Sequence, residues 1–286
     1  MKPLTRCWKG WIESDEELKI MNDHRERVAA FVQSLSQEML AFCGPIFITP
    51  GPRTCPEQMI DNGTYSLIDT GKRRLLITCH HVWQAYLDCR TKNPDAALCI
   101  NLGDGTASIA FVLPERQLID ADADLDLAVF DFEPSQVRLN KTQINHQKKW
   151  FSIRNWPIPM ASDGEHVALM GFPGKRIKKV GILCTFRTQV LPLKITHVGG
   201  KQIYIMNEGQ NVEVFNDIKG WLGGLSGSPA YTFSKSGASL VGFVKSGSKQ
   251  TEDRPKAGGD SVFAGSLLLT HACFLQQDGT LACPQM

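Results

Sequence analysis

Three short segments carry residue types that together could cleave an acyl bond. The first, Gly223-Gly224-Leu225-Ser226-Gly227-Ser228-Pro229, sets a serine among glycines between apolar runs. Glycines allow a tight turn that exposes a nucleophilic oxygen and aims neighbouring backbone N–H groups at one point. A Gly/Ser surface turn has the same composition, so partners decide the matter. A serine hydroxyl is a weak nucleophile until a base takes its proton, and the base needs a carboxylate to orient it. Ile77-Thr78-Cys79-His80-His81-Val82 offers two histidines at the end of a strand-like run, and one of them must be structural. Asp124-Leu125-Asp126-Leu127-Ala128-Val129-Phe130 places a carboxylate immediately before a buried strand, its bland alternative being a solvated Asp-rich loop.

The elements that must position these residues are mainly strands. Residues 14–40 read as a helix, since Ser14 and Glu17 form a capping box and Val28, Phe31, Val32, Leu35 and Met39 recur at helical spacing. Gly44 and Pro45 end it. Beyond them come short β-branched runs separated by Gly, Asn, Asp and Pro, the pattern of an all-β sandwich or barrel. Strands are expected over 46–49, 65–69, 74–78, 97–102, 108–112 and 127–132, with Thr70-Gly71-Lys72 as a hairpin turn. A polar stretch over 133–147 and Asn155-Trp156-Pro157-Ile158-Pro159 read as a connection between two units. Strands resume over 166–170, 181–190, 202–206, 239–244 and 261–268, and 269–277 reads as a short closing helix. The expected domains are a helical extension (1–41), a first β unit (42–158) and a second (159–286).

Taken together the three segments resemble the trypsin/chymotrypsin-like serine peptidases, in particular the bacterial heat-shock branch without structural disulfides. Thr78-Cys79-His80-His81-Val82 resembles the family's Thr-Ala-Ala-His-Cys or Thr-Asn-Asn-His-Val, Asp126-Leu127-Ala128-Val129 its Asp-Leu-Ala-Val, and Gly224-Leu225-Ser226-Gly227-Ser228-Pro229 its Gly-x-Ser-Gly-Gly-Pro. The order His, Asp, Ser is the family's. The resemblance spans about residues 42–275. It implies two packed antiparallel β-barrels and an endopeptidase in which Ser226 is the nucleophile, His81 the base and Asp126 the orienting acid, with the N–H groups of Gly224 and Ser226 as oxyanion hole. It also implies substrate contacts at Gly220, Lys245, Ser246 and Gly247. With Gly220 at the pocket floor, an apolar side chain before the scissile bond is expected, and Asp260 is the acidic residue that could overturn this. Leu225 stands where animal enzymes carry the Asp that pairs with a newly cut N-terminus, so activation of that kind is not available. Lys245 stands where the family has a small polar residue beside the acid, and a cation there could compete for the carboxylate. A catalytically silent binding module of the same fold and an esterase with the same triad are the alternatives.

Composition sets the outer limits. The 286 residues are 42% hydrophobic and 21% charged, with 31 Lys and Arg against 29 Asp and Glu, a net charge of +2. That is an ordinary globular balance with no global field for nucleic acid or anionic lipid, so neither nucleic acid nor membrane is an expected partner. The expected partner is a protein or peptide substrate, with the N-terminal helix, together with Trp8 and Trp11, as a regulatory or docking element. No signal-peptide pattern or long apolar run occurs, and nine cysteines appear without CxxC spacing. The location expected is cytoplasmic, with reduced thiols. No metal or organic cofactor is expected. A zinc site at Cys79, His80 and His81 is set aside because neighbours on a strand point to opposite faces. A calcium loop through Asp120, Asp122, Asp124 and Asp126 is set aside because Leu125 and Asp131 stand where Gly and Glu belong. Lys175-Arg176-Ile177-Lys178-Lys179 reads as a solvated hairpin tip.

Overall fold

The computed structural model describes residues 38–51, 61–102, 110–133, 148–173, 177–180, 183–186, 189–206, 224–234, 237–250 and 264–282. Most of the expected N-terminal helix, Trp8, Trp11, Gly220, Gly223, Asp260 and most of the 133–147 connection lie outside them.

The first sheet is built from β1 (Cys43–Thr49), β2 (Asp61–Asp69), β3 (Arg74–Thr78), β4 (Ala97–Asn101), β5 (Ala110–Val112), β6 (Leu118–Asp122) and β7 (Leu127–Asp131). Their order is β5-β4-β1-β2-β3-β7-β6, all antiparallel, with the short β8 (Phe151–Ser152) added parallel to β2. The second contains β9 (His166–Gly171), β12 (Gln189–Lys194), β13 (His197–Val198), β14 (Gln202–Met206), β15 (Pro229–Ser234), β16 (Gly237–Gln250) and β17 (Ala264–His271). Here the order is β12-β9-β15-β16-β17-β14-β13, while β10 (Ile177–Val180) and β11 (Leu183–Phe186) form a separate hairpin. The fold is thus all-β, with two curled antiparallel half-barrels, as expected.

The period-2 alternation of strands decides which side chains build which layer. Along β1, Phe47 enters the core shared by the two sheets, whereas Ile46 and Ile48 enter a core on the opposite face. In β3, Leu75 and Ile77 take the shared core and Leu76 the far one; in β7, Leu127 and Val129 alternate in the same way with Ala128 and Phe130. Met170, Tyr231 and Phe243 complete the shared core from the second sheet, whose other face buries Leu169, Ile203 and Leu267. Covered on both faces, these strands read as continuous apolar runs.

Three expectations need correction. Residues His80–Lys92 form a helix, α1, where none was expected. Its fully buried residues are Val82, Trp83 and Tyr86, with Ala85, Leu87 and Cys89 partly buried beside them, an arrangement without a clear helical stripe in the sequence. His80 and His81 therefore open a helix and do not alternate across a strand. The expected closing helix is instead the end of β17 followed by a three-residue 3-10 turn, Ala272–Phe274. Strands β6 and β15 were not anticipated, and β16 runs well beyond 239–244 at both ends. The hairpin turn after β2 does form, with Gly71 at φ +81°. Among the described residues Cys43, Cys79, Cys89 and Cys99 are free cysteines. No described helix is long and apolar enough to cross a membrane.

His271, fully buried at the end of β17, has its imidazole pKa lowered, chiefly by burial. The unfolded chain therefore takes up a proton first as pH falls below the ordinary histidine range, and stability is lost in that direction. Melting temperatures between pH 7.5 and 5.5 are expected to fall more steeply for wild type than for His271→Gln.

Candidate active site

Asp126 ends the turn between β6 and β7 and sits at φ +55°, left-handed backbone that a non-glycine residue adopts only when its surroundings hold it there. Its carboxylate is almost fully buried and faces the start of α1. Asp126 Oδ1 accepts the His81 backbone N–H at 2.8 Å, and Asp126 Oδ2 lies 2.8 Å from His81 Nδ1. The first N–H groups of a helix lack partners within it, and Cys79 at the N-cap makes no side-chain cap. Asp126 therefore caps α1 from the turn before β7 while fixing the imidazole that α1 presents. That bond places the proton on Nδ1 and leaves Nε2 as the acceptor, and the ring is half exposed.

Ser226 lies in the turn 224–227 that leads into β15, and it is 8% exposed. The turn is held from the opposite sheet. Thr64 N–H donates to Ser226 O at 2.8 Å and Thr64 Oγ1 donates to Gly224 O at 2.5 Å. Ser66 Oγ donates to Gly227 O at 2.9 Å, and Leu225 is buried in the second sheet's own core. Within the turn Ser228 N–H donates to Leu225 O at 2.8 Å. Gly227 has φ +87°, and a Cβ there would run into Thr64 O and come within 3.1 Å of Thr78 Cα. Only glycine lets the serine turn close against the strand leading to His81. Gly63 marks the same contact, since a Cβ on it would meet Val82 and Ser226 O.

The structure thus joins His81 and Asp126 side chain to side chain and seats the Ser226 turn on β2 and β3. Among the described residues no hydrogen bond links Ser226 Oγ to the imidazole. His80 is half-buried and takes no part in the pair. Gly224 lies in the turn with Ser226; Lys245, Ser246 and Gly247 lie on β16; Gly220 is outside the described residues. Among the described residues Ser246–Gln250 pair only with β17, which leaves their other edge open.

Cys79, His80 and His81, expected on a strand whose alternation would keep a zinc ion out, instead enter a helix. Because the chain turns from β3 into α1, Cys79 Sγ, a His81 ring nitrogen and an Asp126 oxygen lie within 4.8 Å of one another. The thiol is fully buried, its pKa raised well above the ordinary value, first by burial and then by the neighbouring carboxylate. It stays protonated and donates to Val244 O at 3.0 Å, and His81 Nδ1 is already engaged by Asp126. This donor set suits a hydrogen-bonded cluster better than a metal. Nor do the four alternating aspartates converge on one point. Asp120 accepts Ala121 and Leu281 N–H, Asp122 accepts Leu125 N–H, Asp124 faces Lys201 at 3.9 Å, and Asp126 holds His81. A cavity of about 540 Å³, lined by Phe42, Trp150, Tyr231 and Leu240 among others, contains none of the three candidate residues.

No family model matches the chain. A stretch of 108 residues, 35% of this chain, is 32% identical to a corrinoid adenosyltransferase of Mycobacterium leprae, and the match spans about half (53%) of that protein. Solved structures similar to the chain include a thermostable serine protease, AL20, from an extremophilic microorganism, at 10% identity and a TM-score of 0.42 over 82% of this chain and 92% of that one. Another is a chain from work on the coupled folding and binding of the intrinsically disordered Sesbania mosaic virus VPg protein, at 12% identity and a TM-score of 0.38 over 79% and 85%.

Thr64 is the side chain on which the serine turn depends most directly. Besides bonding Gly224 O, its Oγ1 accepts Phe172 N–H at 3.2 Å. Thr64→Val keeps the shape and orphans both buried groups, so a loss of about 1–3 kcal/mol in urea unfolding is expected.

Proposed function

We propose that the chain is a serine endopeptidase of the trypsin/chymotrypsin-like type, in the branch without structural disulfides. The observation that carries the reading is the bidentate hold of Asp126 on His81, ring and backbone together, beside a serine turn anchored on the same strands. Ser226 Oγ attacks the scissile carbonyl while His81 Nε2 takes its proton. The backbone N–H groups of Gly224 and Ser226 receive the negative charge on the carbonyl oxygen. Collapse of the tetrahedral species returns the proton from His81 to the leaving amine and leaves an acyl ester on Ser226. Water then repeats the sequence and frees the acid. Asp126 keeps one tautomer in place and stabilises the imidazolium as it forms.

The open edge of β16 fits an extended peptide added as a further strand, with Ser246 and Gly247 offering backbone groups to it. In this reading 42–158 is the unit that carries base and acid, and 159–286 the unit that carries nucleophile and substrate strand. An apolar residue before the scissile bond remains the expected preference, with Gly220 as the pocket floor.

Cleavage-site profiling of a proteome digest tests the proposal. Wild type is expected to generate new termini that Ser226→Ala does not, and identical digests would overturn it. A preference for nitrophenyl esters with no peptide cleavage would favour the esterase alternative. His81→Ala is expected to lose roughly 10⁴-fold or more in turnover, and His80→Ala far less. The reverse order would show that the base has been misassigned.

A further inference from the structure

Two consecutive residues of β16 touch all three segments that carry the candidate triad. Val244 O accepts Gly227 N–H at 2.8 Å from the serine turn and the Cys79 thiol at 3.0 Å from the β3–α1 junction. Lys245 Nζ donates to Asp124 O at 2.7 Å, two residues before Asp126. The expectation that this cation competes for the Asp126 carboxylate is therefore corrected, because the ammonium engages a backbone carbonyl of the turn. Register explains why it can. Val244 pairs with Leu269 and Ser246 with Leu268, so Lys245 is the extra residue of a β-bulge, a feature that turns a side chain out of the regular alternation. The same turn is gripped once more from the second sheet, by Thr270 Oγ1 donating to Leu125 O at 2.5 Å.

We propose that Lys245 is a positioning residue: from its bulge it clamps the acid-bearing turn, so that the alignment of Asp126 with His81 depends on the strand expected to receive substrate. The role rests on the reading of His81 and Asp126 given above. Asp126 occupies left-handed backbone. Its carboxylate is held by His81, and the carbonyls of the two residues before it are fixed by Lys245 and Thr270. Lys201, 3.9 Å from the Asp124 carboxylate, steadies the same turn from outside. The grip on Asp126 is thus shared between sheets, and an extended segment seated along β16 would act on it through one side chain.

The test compares Lys245→Met, which keeps the aliphatic stem, with Lys245→Arg, which restores a cationic donor, in the full chain. Lys245→Met is expected to lower kcat on a cleavable peptide roughly tenfold with little change in KM, and Lys245→Arg to recover most of it. In proton NMR the hydrogen-bonded His81 Nδ1–H should appear downfield in wild type and Lys245→Arg and broaden in Lys245→Met. Equal resonances in all three proteins, or a change confined to KM, would overturn the proposal, the second marking Lys245 as a substrate contact. The resonance needs no turnover. A protein that shows the expected spectra but cleaves nothing would refute the endopeptidase reading and leave the clamp standing.

Discussion

The structure depends on satisfying the buried peptide groups of the turn 224–227. A turn pressed between two sheets cannot complete a ladder of its own, and unpaired carbonyls there would each cost a desolvation penalty. The missing donors come from the opposite sheet, as the Thr64 amide and hydroxyl and the Ser66 hydroxyl. Thr78 Oγ1 then donates to Thr64 O at 2.9 Å and ties this arrangement to the last residue of β3. Backbone accounting at the seam thus seats the serine turn on β2, beside the strand that leads to His81. Gly227, with no Cβ to hold the surfaces apart, is the steric half of the same constraint.

Asp126 answers a second accounting problem. Cys79 gives the start of helix α1 no side-chain cap, and the His81 N–H is directed at the turn before β7. A buried carboxylate at position 126 satisfies that N–H and the imidazole together, so stability of the helix start and orientation of the ring share one group. Cys79 lies beside that carboxylate as a neutral, deeply buried thiol, a small polar group whose proton goes to Val244 O.

Much of the fold was legible because the strands alternate between two cores. Leu75, Leu76 and Ile77 each carry the apolar character that one of two buried faces requires, and β3 occupies the range expected for it, 74–78. Asp126 stood out for a related reason, as the carboxylate of an Asp-rich segment that directly abuts a buried run. Helix α1 was not legible, since packing of Val82, Trp83 and Tyr86 against the sheet overrides a weak local pattern. The destination of Lys245 was hidden as well. A one-residue bulge leaves no mark on the sequence Val244-Lys245-Ser246-Gly247, yet it decides whether the ammonium meets a carboxylate or a carbonyl.

In the proposed chemistry the seam between the sheets presents Ser226 as the nucleophile and His81 as its base. Intact-mass analysis after exposure to a fluorophosphonate, with the adduct located by peptide mapping, measures this most directly. The account predicts a single adduct on the peptide containing Ser226, lost in Ser226→Ala and greatly slowed in His81→Ala. Adducts elsewhere, or labelling of Ser226→Ala at the wild-type rate, would contradict it.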